Sequence, residues 1–547
     1  MISPMLTLLS HQKLEQNYAK GYWRDDTIFS LVKHHADVVP DKVAVRDRSS
    51  EITYRELASR AEALSTALKA AGLQSGNRVA VWLSSRIEVA IALIACSHGG
   101  YVCCPSLHRD HTSVEVIELM ERMRAAAFIG EAGYGADAAR RDIFADLDRV
   151  PTLKAIFKLG PVGGQDEWPL PAANGVTGRT FNPDPNVVVY LAFTSGTTGR
   201  PKGVMHSDNT LLANARAMIA DWEFGQHSVI YTMSPLSHNL GLGSLIMALA
   251  VGGELVVHDL PRGASTLDRI VDVGATFIVG VPTHAMDLLT EMKARKMASP
   301  GRVRGFRISG ASAPREVIAQ LIEKGVMPQS GYGMTEAGSH HYTRMDDSAD
   351  RVVQTSGRAC DGYEVKIFSE IGEIGQIGGR GASLMIGYFD DQYANDEAFN
   401  AEGWFMTGDI GRLDQDGYLQ ITGRKKDLII RGGHNIYPAR IENLAMQHPE
   451  ISRAAALPVP DQRLGEKVCL AVMLKPGSSL TSDDVLDHLD RSGLSRYDMP
   501  EYYLALTAIP LTASGKILKR DIASQVAEGK LTPVPVRFVS RGNTVLA

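Results

Sequence analysis

Cysteine is scarce in this chain. There are five among 547 residues (Cys96, Cys103, Cys104, Cys360 and Cys469), an odd number without any C-x-x-C spacing. That count excludes a disulfide framework or a zinc ribbon and points to a reducing compartment. An excess of basic charge is missing too. Lys plus Arg is 57 against Asp plus Glu at 62, a formal net charge of -5, which argues against a nucleic-acid or anionic-membrane binder. Long apolar runs are absent: the most membrane-like stretch, Leu245 to Val251, is far short of the roughly 20 residues a spanning helix needs and is expected to be core. Met1 to Lys13 has no basic region ahead of a long apolar core, so a cytoplasmic location is expected. There is no H-E-x-x-H, no G-x-S-x-G and no internal repeat, which disfavours a zinc protease and a serine hydrolase. The pairs His34-His35 and His340-His341 lack carboxylates at zinc-like spacing and are expected on the surface or in loops.

Hydrophobic residues make up 44% and charged residues 22%, the balance of a globular protein with large cores. At roughly 150 residues per domain, the length allows three to four units. Short β-branched runs recur, each followed by a loop and a helix-period segment, the pattern of βα units in a mainly parallel sheet. Arg78–Leu83, Leu255–Val257 and Thr276–Val281 are examples. Thr53 with Glu56 forms a capping box ahead of Leu57, Ala61, Leu64 and Leu68, which share a helix face, and Gly72 suits the stop. Glycines crowd between Gly372 and Gly381, as in a β subdomain with tight turns. The charged Arg424–Asp427 separates two apolar segments. The fold class expected is therefore α/β: an N-terminal domain over 1–423, a hinge over 424–427 and a small α+β C-terminal domain over 428–547.

The richest segment is the apolar Val187–Phe193 followed by Thr194-Ser-Gly-Thr-Thr-Gly-Arg-Pro-Lys-Gly203. A strand feeding a loop of glycines, hydroxyls and one lysine has the parts of a phosphate cradle: backbone N–H groups, small O–H donors and a mobile cation. It is not a Walker A loop, because Gly196 and Gly199 are three apart and Lys202 precedes Gly203. A solvated turn would explain one glycine and one lysine, but not four hydroxyl residues packed among three glycines.

This loop resembles the signature of the adenylate-forming superfamily, which includes acyl- and aryl-CoA synthetases and carrier-protein adenylation domains. Further segments resemble the family's other motifs in family order: Ser234-Pro-Leu-Ser-His-Asn-Leu-Gly241, Ser309-Gly-Ala-Ser-Ala-Pro314, Gly331-Tyr-Gly-Met-Thr-Glu336, Thr407-Gly-Asp409, Gly423-Arg-Lys-Lys-Asp427 and Pro510-Leu-Thr-Ala-Ser-Gly-Lys516. The resemblance covers residues 194 to 516, and cyclohexanecarboxylate- or benzoate-type CoA ligases are the members the chain is most similar to.

The resemblance implies ATP, Mg²⁺ and coenzyme A as co-substrates and cofactors. It puts Thr194, Ser195, Gly196, Thr197, Thr198, Gly199 and Lys202 on the phosphates, and Gly310, Ala311, Ser312, Gly331, Tyr332, Gly333 and Met334 around the adenine. Asp409 and Arg424 fall on the ribose, with Ile421 on the nucleotide. Thr335 and Glu336 take an α-phosphate oxygen and the metal, Lys516 is the main catalytic residue, and His238 walls the acyl pocket. Lys426 is the hinge residue; the aspartate common at this position in bacterial acyl-CoA synthetases is absent. Gly432 and Gly433 line a pantetheine tunnel. Asn239, Gly280 and Val281, with His238, Gly310 and Gly333, are the acyl-pocket candidates.

The residues carry parts of this by themselves. A carboxylate attacking a phosphate brings two anions together, so cations and N–H dipoles must sit close to the reacting atoms. Alone, Glu336 reads better as a helix N-terminal acid, and Asp409 reads also as a turn residue; the family match reverses the first and favours the ribose role for the second. The implied activity is ATP-dependent formation of an acyl-adenylate and then an acyl-CoA, from an aromatic, alicyclic or medium-chain acid. With no cation among the pocket candidates, a second substrate carboxylate is not expected. The alternative is a stand-alone aryl-acid enzyme loading a carrier protein, to which Asn239 and Gly21-Tyr-Trp23 are similar. A nucleotide sensor without turnover is disfavoured because Lys516 and Glu336 are both present. The implied partners are small molecules, with no nucleic acid and no membrane span; a homodimer is compatible with the sequence.

Overall fold

The computed structural model describes residues 5–162, 184–194, 201–261, 263–309, 313–369, 373–431, 434–511 and 517–538. The chain is α/β and divides into two compact units, residues 1–365 with 379–405, and residues 366–378 with 406–547. By compactness the second unit takes in Met406 to Gly423 as well as the Arg424–Asp427 segment.

Two sheets build the first unit. One contains, in order, Ala155–Leu159, Ala125–Glu131, Arg78–Trp82, Val102–Cys104, Val188–Thr194 and Lys202–Ser207. Its pairs are parallel except the last, where Val188–Thr194 and Lys202–Ser207 run antiparallel with Thr194 opposite Lys202. The other runs Arg358–Ala359, Gly338–Tyr342, Met327–Met334, Gly305–Ile308, Phe277–Gly280, Val229–Thr232, Glu254–Val257, Val43–Arg46 and Glu51–Thr53. The three runs expected as strands lie at Arg78–Trp82, Glu254–Val257 and Phe277–Gly280.

Helices Tyr54–Ala70, Ile87–Gly99 and Asn239–Val251 share one apolar core with both sheets. Ile87–Gly99 is buried almost all round, as its uniformly apolar sequence requires. Asn239–Val251 contains the stretch expected to be core, and Leu245 through Leu249 are buried. The Thr53 capping box is present: the Thr53 N–H donates to Glu56 Oε2 at 2.9 Å and the Glu56 N–H to Thr53 Oγ1 at 3.3 Å. Gly72 takes φ +84°, which a side chain would resist.

The glycine-rich segment supplies strand Gly375–Gly381 to a four-stranded sheet with Tyr363–Phe368, Phe405–Leu413 and Leu419–Arg424. The second unit also contains a mixed sheet in which Ile451–Asp461 and Gly465–Leu474 form a long antiparallel pair and Tyr502–Ala505 joins in parallel. Within the 424–427 segment expected as the hinge, Arg424 ends strand Leu419–Arg424 and Lys425–Asp427 forms a short 3₁₀ turn ahead of Ile429–Arg431.

The five cysteines are buried and free. Among the described residues, no helix is long and apolar enough to cross a membrane.

Two expectations about histidines are corrected. His34 is exposed, but His35 is buried against Tyr54, with ring centroids 5.2 Å apart. His340 and His341 are fully buried on strand Gly338–Tyr342. That strand is covered by Met327–Met334 on one side and Arg358–Ala359 on the other, a burial that pair spacing alone does not reveal.

Leu93 is wholly buried in helix Ile87–Gly99. Leu93→Ala is expected to cost about 2–5 kcal/mol, read as a lower urea midpoint, while Val38→Ala at an exposed position changes stability by less than about 0.5 kcal/mol.

Candidate functional site

The antiparallel pair Val188–Thr194 and Lys202–Ser207 flanks residues 195–200. Ser195, Gly196, Thr197, Thr198 and Gly199 lie outside the described residues, but both ends of the segment are fixed: Thr194 Oγ1 donates to the Lys202 carbonyl at 3.4 Å. Lys202 extends its ammonium over the Tyr388 ring, 4.8 Å from the centroid, a cation–π contact. The same tyrosine donates its hydroxyl to Glu336 Oε1 at 2.9 Å. Burial, followed by the Glu336 charge, raises the Tyr388 phenol far above its ordinary range, so it remains a donor.

Thr335 and Glu336 occupy the turn between strands Met327–Met334 and Gly338–Tyr342. Two further bonds hold that turn. His206 Nε2 lies 2.7 Å from the Thr335 carbonyl, and the Met385 N–H donates to the Glu336 carbonyl at 2.7 Å. His206, on strand Lys202–Ser207, therefore joins the lysine strand to the Thr335 turn. Burial lowers its pKa to about 4, so it is neutral near pH 7 and donates from Nε2, leaving Nδ1 as the acceptor for the Thr210 hydroxyl.

Gly331, Tyr332, Gly333 and Met334 end strand Met327–Met334. A Cβ on Gly333 would stand 2.2 Å from the Gly338 carbonyl oxygen, so only glycine fits so close to a neighbouring backbone. The Tyr332 ring packs edge-on to His340 with centroids 4.9 Å apart.

His238 caps helix Asn239–Val251, its Nδ1 accepting the Leu240 N–H at 3.3 Å. Beside it, Ser237 Oγ lies 3.1 Å from His108 Nδ1, and burial lowers His108 to about 4. Gly280 ends strand Phe277–Gly280 and Val281 precedes helix Pro282–Ala294.

Of the expected acyl-pocket residues, Asn239 lines a cavity of the first unit together with His206, Asn214, Met218, Arg307 and Ser339. His238, Gly280, Val281 and Gly333 are not part of that wall, whereas Arg307, 2% exposed, is. The signal was in the sequence, since an arginine in the centre of Gly305-Phe-Arg-Ile308 interrupts a buried strand that should be apolar throughout. Sequence reasoning also missed His206 and Tyr388, which carry no motif pattern of their own.

In the second unit, Asp409 stands opposite Arg424 on the paired strands Phe405–Leu413 and Leu419–Arg424. Arg424 Nε donates to Asp409 Oδ1 at 3.0 Å. Asp409 is buried while Arg424 is exposed. Thr407 Oγ1 accepts the Asp409 N–H at 3.1 Å. Ile421 lies on the same strand as Arg424, and Lys426 sits in the following 3₁₀ turn. Gly310, Ala311, Ser312, Gly432, Gly433 and Lys516 lie outside the described residues.

Glu336 is a single carboxylate, and among the described residues no group of three or more His, Cys, Asp or Glu is arranged to hold a metal. Such a donor set suits Mg²⁺, which keeps waters and binds one or two carboxylates together with substrate phosphates. It does not suit zinc, which needs three or four protein ligands.

Two family models match the chain: AMP-binding enzyme over residues 32–389, and AMP-binding enzyme C-terminal domain over residues 440–516. The chain is 30% identical to the medium-chain fatty-acid–CoA ligase of Escherichia coli, covering 96% of this chain and 95% of that one. It is also 30% identical to the salicyl-AMP ligase / salicyl-S-ArCP synthetase of Mycobacterium tuberculosis, covering 94% of each. Among solved structures it is similar to ATP-bound MatB from Rhodopseudomonas palustris, with a TM-score of 0.80, 27% identity, and 92% and 99% of the two chains covered.

The buried histidines around these elements give a pH dependence. Burial lowers His108, His206 and His258 to about 4 and His341 to about 3, whereas unfolded histidine titrates near 6.5. Between those values the unfolded chain binds more protons, so stability falls as pH drops below about 6.5, by up to roughly 1.4 kcal/mol per pH unit for each histidine. Asp208, pushed up to about 7 by burial, acts in the opposite sense and offsets one of them. Urea midpoints measured from pH 7 to pH 5 are expected to fall steadily; a constant midpoint would contradict the burial of these rings.

Proposed function

The chain belongs to the AMP-binding enzyme family of adenylate-forming ligases, and from that premise we propose that it is an AMP-forming carboxylic acid:CoA ligase. The acid attacks the α-phosphate of ATP, giving an acyl-adenylate and pyrophosphate; the thiol of coenzyme A then displaces AMP and leaves a thioester. The observation that carries this reading is the grouping of Lys202 and Glu336 on one Tyr388 side chain, at the end of the strand pair that flanks the hydroxyl- and glycine-rich segment. A cation, a carboxylate and a phosphate-type loop are the parts needed to bring two anions together.

In this proposal Lys202 neutralises phosphate charge, and Thr335 offers its hydroxyl to an α-phosphate oxygen. Glu336 would hold Mg²⁺, which when bound offsets the negative charge of the phosphates. The Tyr388 hydroxyl, hydrogen-bonded to one Glu336 oxygen, fixes the orientation of that carboxylate. Tyr332, with its backbone neighbours Gly331, Gly333 and Met334, takes the adenine. Asp409, preset by Arg424, reads the ribose hydroxyls, since a carboxylate can accept two O–H bonds from a vicinal diol. Ile421 packs on the nucleotide. Lys516 serves as the cation between the acid and the α-phosphate, a compact ammonium suited to developing charge. Lys426 acts as the hinge of a 424–427 segment, with Gly432 and Gly433 admitting the pantetheine arm. The acid is aromatic, alicyclic or medium-chain, as in the named relatives that act on medium-chain fatty acids and salicylate.

A second reading, an aryl-acid enzyme that loads a carrier protein, is favoured by Asn239 in the cavity wall and by the salicyl-S-ArCP synthetase relative. The acceptor separates the two. Free coenzyme A is expected to support turnover at least tenfold better than a phosphopantetheinylated carrier protein, and the reverse order would favour the second reading.

Lys516→Ala is expected to lower acid-dependent ATP–pyrophosphate exchange by at least 100-fold while leaving thioester formation from supplied acyl-adenylate within about threefold of wild type. Equal loss in both half-reactions would show that Lys516 is not specific to adenylation. A bulky residue at Gly433 should do the opposite, impairing thioester formation more than exchange.

A further inference from the structure

Arg307 stands in the middle of strand Gly305–Ile308, between Val279 on one neighbouring strand and Gln329 on the other. Its guanidinium is buried, and few groups answer it. Nη1 donates to Gln329 Oε1 at 2.6 Å and points to Met218 Sδ at 3.7 Å. Nε has no hydrogen-bond partner, and the Tyr342 ring centroid lies 6.0 Å from the guanidinium carbon. Among the described residues no carboxylate pairs with it. Asp221, the acid beside Tyr342, is held by the Tyr342 hydroxyl at 2.7 Å and by Arg344 at 3.0 Å.

The other titratable neighbours carry no negative charge either. His340 and His341, whose Nδ1 atoms lie 2.8 Å apart, are both held neutral by burial, and burial pushes the Cys360 thiol up to about 12. Burial lowers Arg307 itself to about 10, still well above neutral pH, so the side chain remains a cation. A buried cation without a counter-charge is among the most costly arrangements a fold can hold. A guanidinium fork also matches the two oxygens of a carboxylate.

The cavity that Arg307 lines is small, about 40 Å³, room for a carboxylate rather than a whole acid, and His206, in the same wall, is bonded to the Thr335 carbonyl. Several of its other polar groups are already committed. Asn214 donates to the Ser339 carbonyl and accepts the Ser339 N–H, both at 3.0 Å, and Ser244 donates to the Leu240 carbonyl at 2.9 Å. Among the described residues, the Asn239 amide and the Ser339 hydroxyl make no hydrogen bond, and Arg307 Nε makes none either, so these are the polar groups the wall leaves open. The remaining wall is apolar, formed by residues such as Leu211, Met218, Leu240 and Met247.

We propose that the acid activated by this protein carries a second carboxylate, borne on an apolar ring or chain and bound by Arg307 with help from the Asn239 amide. The inference rests on the adenylation reading above and narrows its substrate to an aromatic, alicyclic or medium-chain acid with a second carboxylate, against the sequence expectation of none. Arg307 thus acts as a specificity-determining residue, supplying the counter-charge that the fold leaves out.

The test is ATP–pyrophosphate exchange by the full-length protein with three acids on one ring: cyclohexanecarboxylate, 4-oxocyclohexanecarboxylate and trans-cyclohexane-1,4-dicarboxylate. The expected order in kcat/KM places the diacid at least tenfold above the other two. Arg307→Met should lower the diacid value at least 30-fold more than the monoacid value, mainly through KM, and Arg307→Lys should restore part of the difference. A wild-type preference for the monoacid overturns the proposal even if the Met variant fails to fold. Equal use of the keto acid and the diacid overturns it as well, by assigning Arg307 to a neutral acceptor. Equal loss for all three acids in a folded Arg307→Met assigns the residue a purely structural role and overturns it too. Exchange with monoacids only leaves the adenylation reading standing and removes this one, whereas no exchange with these or with a wider panel of aromatic and medium-chain acids removes both.

Discussion

The Tyr388 hydroxyl bond to Glu336 is the interaction on which the rest of the candidate site depends. It ties the turn after strand Met327–Met334 to the segment around Gly379–Phe405, and the same ring carries the Lys202 ammonium on its face. Lys202 in turn sits on the strand that supplies His206, which holds the Thr335 carbonyl. One ring and one imidazole thus fix a cation, a carboxylate and a hydroxyl relative to one another within a single compact unit. A net charge of -5 over the chain is no obstacle to binding polyanions when the cations are placed this locally.

Burial supplies the second constraint. His206, His340 and His341 are kept neutral because their surroundings penalise charge, and neutral imidazoles can bridge backbone and hydroxyl groups in a strand interior without needing counter-ions. Arg307 occupies the same kind of environment yet cannot shed its proton near neutral pH. The contrast gives the guanidinium its meaning: the fold tolerates it beside a cavity, where an incoming group can answer it, and keeps the titratable rings near it uncharged.

Much of this is legible in the sequence, for physical reasons. Period-two and period-3.6 patterns, the Thr53–Glu56 capping box and the apolar run in Asn239–Val251 translate directly into strands and helices because each depends on local spacing. The order of the glycine- and hydroxyl-rich motifs points to the family. Cross-strand neighbours are not legible. His340 and His341 read as surface or loop residues because their burial comes from strands paired on both sides, and Arg307, though its interruption of an apolar strand is visible, cannot be placed because nothing local says which wall an interior side chain faces. Tyr388 lies 52 residues from Glu336, outside any motif.

The central claim, that this protein joins its acid to AMP before any thiol enters, is tested most directly by following oxygen. Turnover of ATP and coenzyme A with an acid labelled with ¹⁸O in its carboxyl group should place one label in AMP for each thioester formed, with unlabelled pyrophosphate. Label recovered in inorganic phosphate, with ADP as the nucleotide product, would contradict an acyl-adenylate intermediate.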